Sequence, residues 1–190
     1  MTINDSLGNP ICQSCGISDL LSPVVIGKGD KSSPLMLIGE APGAMEEKLT
    51  VPFVGRSGKL LDLLLTQAGF DLCKDVYITN LIKTRPPNNR VPTKKEISLH
   101  LPWLYQQIKL VKPLVILLLG SSALHAILGE RLKITETRGT WHNWNGILLM
   151  PIFHPSYLLR NPSKLEGKPY NLTSIDLNEV HKKLTEFNSI

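Results

Sequence analysis

A chain of 190 residues, 42% hydrophobic and 19% charged, is long enough to bury its own core, and a single domain over residues 1–190 is expected without disulfides or a partner to hold it together. A formal charge of +5 and a pI near 9.1 favour a polyanionic partner such as nucleic acid, although ordinary basic proteins share these values. The apolar run Val115 to Leu119 is far too short to cross a bilayer, and MTINDSLGNPICQSCG carries no basic-then-apolar leader, so a cytoplasmic protein without a membrane segment is expected.

Residues 1–30 read as loop, punctuated by Gly8, Pro10, Gly16, Pro23, Gly27 and Gly29. They hold two of the three cysteines, Cys12 and Cys15, in a C-x-x-C pair. That spacing lets two thiolates meet one metal or cluster, but two ligands do not complete a site, and a remnant is an equal alternative. Leu35-Met36-Leu37-Ile38 is the first strand. A helix is expected from Gly58 to Gly69, with Ser57 as N-cap and Gly69 as C-cap. Val76 to Ile82 forms a strand that leads into an irregular segment from Lys83 to Thr93. A helix over Lys94 to Lys109 precedes a strand at Leu114 to Leu119, and Gly120-Ser121-Ser122 opens a helix running to about Leu128. Ile147 to Phe153 is a further strand, and an amphipathic helix covers Ile175 to Phe187. Strand and helix alternate, which predicts an α/β fold with a mostly parallel sheet covered on both faces.

In such sheets ligands bind beyond the carboxyl ends of the strands. GEAPG at 39–43, Asn80, Gly120 and His154 each follow a strand. Taken singly, every one has a structural reading. The glycine loop can be a plain βα turn, Phe53 can be core, and His154 can be a satisfied strand-end histidine. The loop Pro52-Phe53-Val54-Gly55-Arg56-Ser57-Gly58 also suits base stacking, because it presents an aromatic ring beside glycines. Tyr157-Leu158-Leu159-Arg160 pairs bulky apolar residues with a cation, a combination suited to wedging a duplex and gripping phosphate.

Several dispersed motifs, in order, are similar to those of the family 4 uracil-DNA glycosylases. They are Cys12-Gln13-Ser14-Cys15, GEAPG (39–43), PFVGRSGKLLD (52–62), VYITNLIK (76–83), RPPNNRVPT (85–93), VILLLGSSA (115–123), RGTW (138–141) and FHPSYLLRNP (153–162). The resemblance implies a three-layer α/β/α sandwich around a doubly wound sheet and an enzyme that hydrolyses the N-glycosidic bond of uracil in single- or double-stranded DNA in base excision repair; a monomer is the default expectation. It implies that Phe53 stacks on the flipped base, Asn80 reads its edge, and His154 donates to uracil O2 as charge develops there. Glu40, with Gly39, Ala41 and Gly43, lines the pocket, where its carboxylate either orients water or excludes the thymine methyl. Arg56, Ser156, Leu158, Leu159 and Arg160 fall to DNA contact, the leucines entering the minor groove. The alternatives are an inactive uracil- or DNA-binding relative and a glycosylase for another deaminated base.

The chain departs from the family at the cofactor. Family members hold a [4Fe-4S] cluster on four cysteines, and here Thr84 and His100 stand where the third and fourth are expected beside Cys12 and Cys15. Threonine is a poor iron ligand, so no stable cluster is expected. Thr50-Val51 also departs from the family's pattern before Pro52-Phe53.

Overall fold

A computed structural model describes residues 23–187. Six strands form one sheet in the order β1-β3-β2-β4-β6-β5. The strands are β1 (Lys28–Gly29), β2 (Leu35–Gly39), β3 (Val76–Asn80), β4 (Val115–Leu119), β5 (His142–Trp144) and β6 (Ile147–Ile152). The central four are parallel, and the short edge strands β1 and β5 run antiparallel to β3 and β6. The chain winds outward from β2 to β3 on one side and from β4 to β6 on the other. The strand order therefore reverses between β2 and β4, and that is where a crevice opens in folds of this type.

Period-two alternation divides the sheet's side chains between two cores. Leu35, Leu37, Val76, Ile78, Val115, Leu117, Met150 and Ile152 face one layer of helices. That layer consists of α2 (Arg56–Gln67), α6 (Pro155–Arg160) and α7 (Pro169–Phe187), which contribute Leu61, Leu64, Leu65, Leu158, Leu177, Val180 and Leu184. Met36, Ile38, Tyr77, Ile116, Leu118 and Leu149 face the opposite layer, built from α3 (Lys94–Val111) with Trp103, Leu104, Ile108 and Val111, and from α4 (Ser121–Leu128) with Ala123. The result is the expected α/β/α sandwich. Each leucine-sized side chain removed from water in these layers contributes roughly 1.5–3 kcal/mol before conformational entropy is charged against it.

Element boundaries differ from the sequence expectation where local chemistry is subtle. The helix placed at Gly58 starts at Arg56, capped by the Gly55 backbone rather than by Ser57, and Gly69 lies just past the Ala68 C-cap with φ +99°. β3 ends at Asn80, two residues early. The last helix begins at Pro169, because proline at the first helical turn needs no N–H partner there. Six short elements are not expected from the sequence: β1, which falls in the stretch read as loop, α1 (Ala44–Leu49), a 3₁₀ turn at Pro87–Asn89, α5 (Ile134–Thr137), β5 and α6. Each is too short to show a period. The N-terminus of α3 is fixed by a capping box in which Thr93 and Glu96 satisfy each other's backbone N–H, while Arg90 pairs with Glu96 at 2.7 Å.

Candidate active site

The carboxyl ends of β2, β3, β4 and β6 bring Glu40, Asn80, Gly120 and His154 to one rim. A small cavity of about 130 Å³ lies there, lined by Ala41, Gly43, Glu46, Phe53, Ser57, Asn80 and His154. A wider one of about 700 Å³ is lined in part by Glu40, Gly120, Ser122, His154, Ser156, Tyr157 and Arg160. His154 borders both.

Phe53 forms one wall of the small cavity. It is buried and its backbone takes the left-handed conformation at φ +52°, unusual for an aromatic residue and maintained by its surroundings. Lys28 Nζ donates to the Phe53 carbonyl at 3.1 Å and pairs with Asp62 at 3.3 Å. Glu46 Oε1, on α1, accepts from the Val54 and Gly55 N–H groups at 3.0 and 2.8 Å. A Cβ on Gly58 would overlap the Phe53 carbonyl, so the turn into α2 admits only glycine. Gly39 does not line the cavity but packs against two residues that do: a Cβ there would sit 2.5 Å from Asn80 Oδ1 and 2.6 Å from the Phe53 ring.

Asn80 is buried, and its Oδ1 is the one buried side-chain polar atom without a hydrogen-bond partner among the described residues. An orphaned buried acceptor costs about 1–3 kcal/mol, which a ligand donor in the cavity would recover. The His154 ring stands 5.9 Å from the Phe53 ring, centroid to centroid. His154 caps α6 with its own side chain, as Nδ1 accepts the Ser156 N–H at 3.1 Å and lies 2.8 Å from Ser156 Oγ. A backbone N–H can only donate, so Nδ1 carries the lone pair and the proton of the neutral ring resides on Nε2. Burial, with Arg160 nearby, pulls the His154 pKa down to about 4, so the ring is neutral at ordinary pH. The site thus combines an unsatisfied buried amide, a neutral imidazole donor held by Ser156 and an aromatic wall.

Glu40, just past β2, accepts a hydrogen bond from the Ser122 hydroxyl at the start of α4, across the strand-order reversal. Neither Ser122 nor Glu46 was singled out by sequence. For Glu46 the missing signal was α1 itself, and for Ser122 it was the neighbouring of β2 and β4. Of the remaining candidates, Arg56 and Arg160 are exposed, Ser156 and Leu159 are partly exposed, and Leu158 is 1% exposed within the α2/α6/α7 core. The reading of Leu158 as a surface wedge is corrected accordingly: in the turn of α6 it faces α2 and the sheet, and Leu159 is the leucine with a free edge.

Cys12 and Cys15 lie outside the described residues. Thr84 and His100 are both buried. His100 Nδ1 accepts the Lys83 N–H at 3.1 Å, and burial, together with repulsion from Lys83, lowers its pKa to about 4. This neutral ring therefore bears its proton on Nε2 and has its lone pair engaged, the wrong tautomer for ligating a metal through Nε2. With a hydroxyl at Thr84, the donor set does not fit a four-iron cluster.

A sequence profile of the uracil DNA glycosylase superfamily matches residues 26–178. The chain is 43% identical over 154 residues to the type-4 uracil-DNA glycosylase of Thermotoga maritima, covering 80% of each chain. It is 39% identical over 159 residues to that of Saccharolobus solfataricus, covering 80% of this chain and 74% of the other. It is 37% identical over 184 residues to that of Sulfurisphaera tokodaii, covering 92% and 79%.

Proposed function

The chain belongs to the uracil DNA glycosylase superfamily, and from that premise we propose that it excises uracil from DNA, hydrolysing the N-glycosidic bond and leaving an abasic site for base excision repair. The observation that carries the reading is the orphaned Asn80 Oδ1. Uracil brings an N3–H donor to that acceptor, with O4 beside the amide NH₂. Cytosine brings a lone pair at N3 and an amino group where O4 would be, so the same amide repels it.

The base enters the small cavity edge-on to Asn80 and stacks on Phe53, a contact worth about 1–3 kcal/mol. As the glycosidic bond lengthens, negative charge gathers on the uracil O2 and positive charge on the deoxyribose. His154 Nε2–H supplies a neutral, preset donor to O2, and the pocket needs no strong base when the bond is largely broken first. Glu40, held by Ser122, stands on the sugar side, where its carboxylate stabilises the cation and orients the incoming water. Ala41 and Gly43 line the cavity, and Gly39 packs against Asn80 and Phe53 from behind. Ser156, Leu159, Arg160 and Arg56 contact the DNA, with Leu159 and Tyr157 filling the space that the base vacates. Extrusion costs a few kcal/mol, least at a U·G mismatch. The protein acts as a monomer without an iron–sulfur cluster, and among the described residues no helix is long and apolar enough to cross a membrane.

The test is incubation with single-stranded, U·G and U·A oligonucleotides followed by alkali. Strand breaks at uracil that disappear in His154→Ala and Asn80→Ala support the reading, and no cleavage above those controls overturns it.

A further inference from the structure

The orientation of Asn80 is secured from beneath by a residue that none of the pocket chemistry uses. Lys83 is fully buried, and among the described residues no carboxylate pairs with it. Its Nζ lies 2.6 Å from the Asn80 carbonyl oxygen, 2.6 Å from Gln107 Oε1 and 2.8 Å from Thr79 Oγ1. Three acceptors match the three N–H groups of an ammonium. Each acceptor is itself aimed. The Thr79 hydroxyl donates to the Ile26 carbonyl at 2.6 Å, which turns its lone pairs towards Lys83. The Gln107 NH₂ reaches the Ile26 carbonyl at 2.8 Å and Tyr77 OH at 3.1 Å, which directs Oε1 to Lys83. A neutral amine would have to point its own lone pair at one of these oxygens.

Stability gives no reason for this residue. A buried lysine without a counter-ion is costly, burial holding its pKa well below the ordinary lysine value, and an apolar side chain of similar volume would serve the core at least as well. Its contact with Asn80 gives a reason. β1 pairs with β3 only at Ile78 and Tyr77, so the ladder on that edge stops short of Asn80, and Lys83 reaches back three residues to take its carbonyl. The same residue carries the side chain whose buried Oδ1 has no hydrogen-bond partner.

We propose that Lys83 is a positioning residue for uracil recognition, gripping the Asn80 carbonyl so that the side-chain amide is held in register with the base. This rests on the reading of Asn80 as the group that reads uracil. A double-mutant cycle on Lys83→Met and Asn80→Ala tests it, reading single-turnover excision on a U·G duplex, inhibition by free uracil, and Tm. Expected is a Lys83→Met protein with Tm equal to or above wild type, excision slowed about tenfold or more, and uracil inhibition weakened by a similar factor. In the Asn80→Ala background the same change should cost less than about twofold, because residues acting as one unit are non-additive.

Losses that multiply, or a Lys83→Met enzyme with wild-type excision and inhibition, overturn the proposal. A wild-type enzyme without activity, or an Asn80→Ala enzyme with full activity, instead overturns the reading of Asn80. Should Lys83→Met fail to fold, Thr79→Val removes one of the three acceptors with little change in shape. It is expected to give a smaller defect that also vanishes on Asn80→Ala, and a defect that persists there overturns the proposal.

Discussion

The hydroxyl of Ser122 donates to the carboxylate of Glu40, joining the first turn of α4 to the end of β2 across the point where the strand order reverses. A hydrogen bond to a charged group is worth about 1.5–3 kcal/mol. Ser122→Ala is therefore expected to slow excision roughly 10- to 100-fold with Tm nearly unchanged. Single-turnover kinetics beside a thermal melt will check it, and equal rates would show that Glu40 needs no tether.

Gly39→Ala should block the base cavity without unfolding the sheet. The added methyl meets Asn80 Oδ1 and the Phe53 ring, and forcing such a group into packed space costs about 1–3 kcal/mol, or about 10- to 100-fold in binding. Inhibition by free uracil reports this directly. Unchanged inhibition would place the base elsewhere.

Glu46 acts on the cavity through the Phe53 loop, receiving the Val54 and Gly55 N–H groups. Glu46→Ala removes two charge-assisted bonds and leaves the strained Phe53 conformation to Lys28 and Gly58. Free-uracil affinity should fall about tenfold or more while circular dichroism keeps its wild-type shape, and an affinity equal to wild type would mean that the loop holds itself.

The His154 pKa near 4 sets a pH dependence of definite sign. The working form is the neutral ring, so this residue imposes no acid limb near 6.5, and excision should fall only as pH approaches 4. An acid limb near 6.5 that vanishes in His154→Gln would contradict this. Stability follows from the same shift. Between pH 6.5 and about 4 the unfolded chain binds protons that folded His154 and His100 refuse, so stability rises with pH through this window and is lost as pH falls through it. Melts at a series of pH values measure the slope.

Protein purified without exposure to air should hold no four-iron cluster, given the hydroxyl of Thr84 and the engaged imidazole of His100. Iron analysis and visible absorption decide the matter, and four irons per chain would overturn the expectation.

Much of this molecule is legible in the sequence. The apolar runs of β2, β3 and β4 and the long periods of α2 and α3 declare themselves because burial on both faces leaves few polar positions in a central strand, in β3 only Thr79 and Asn80 at its end, and helical spacing repeats over several turns. GEAPG, Asn80 and His154 are legible as strand-end residues for the same reason, Phe53 as an aromatic in a glycine-bounded loop, and the missing cysteines at 84 and 100 are plain from identity alone. Tertiary structure decided what depends on which segments become neighbours. It buried Leu158 in the core while exposing the edge of Leu159, since a six-residue helix has no period to reveal its inner face. It placed Ser122 on Glu40 across 82 residues of sequence and Lys83 beneath Asn80 with Gln107 from another helix. Hydrogen bonds between distant segments leave no local pattern in the sequence, so only the folded chain reveals them.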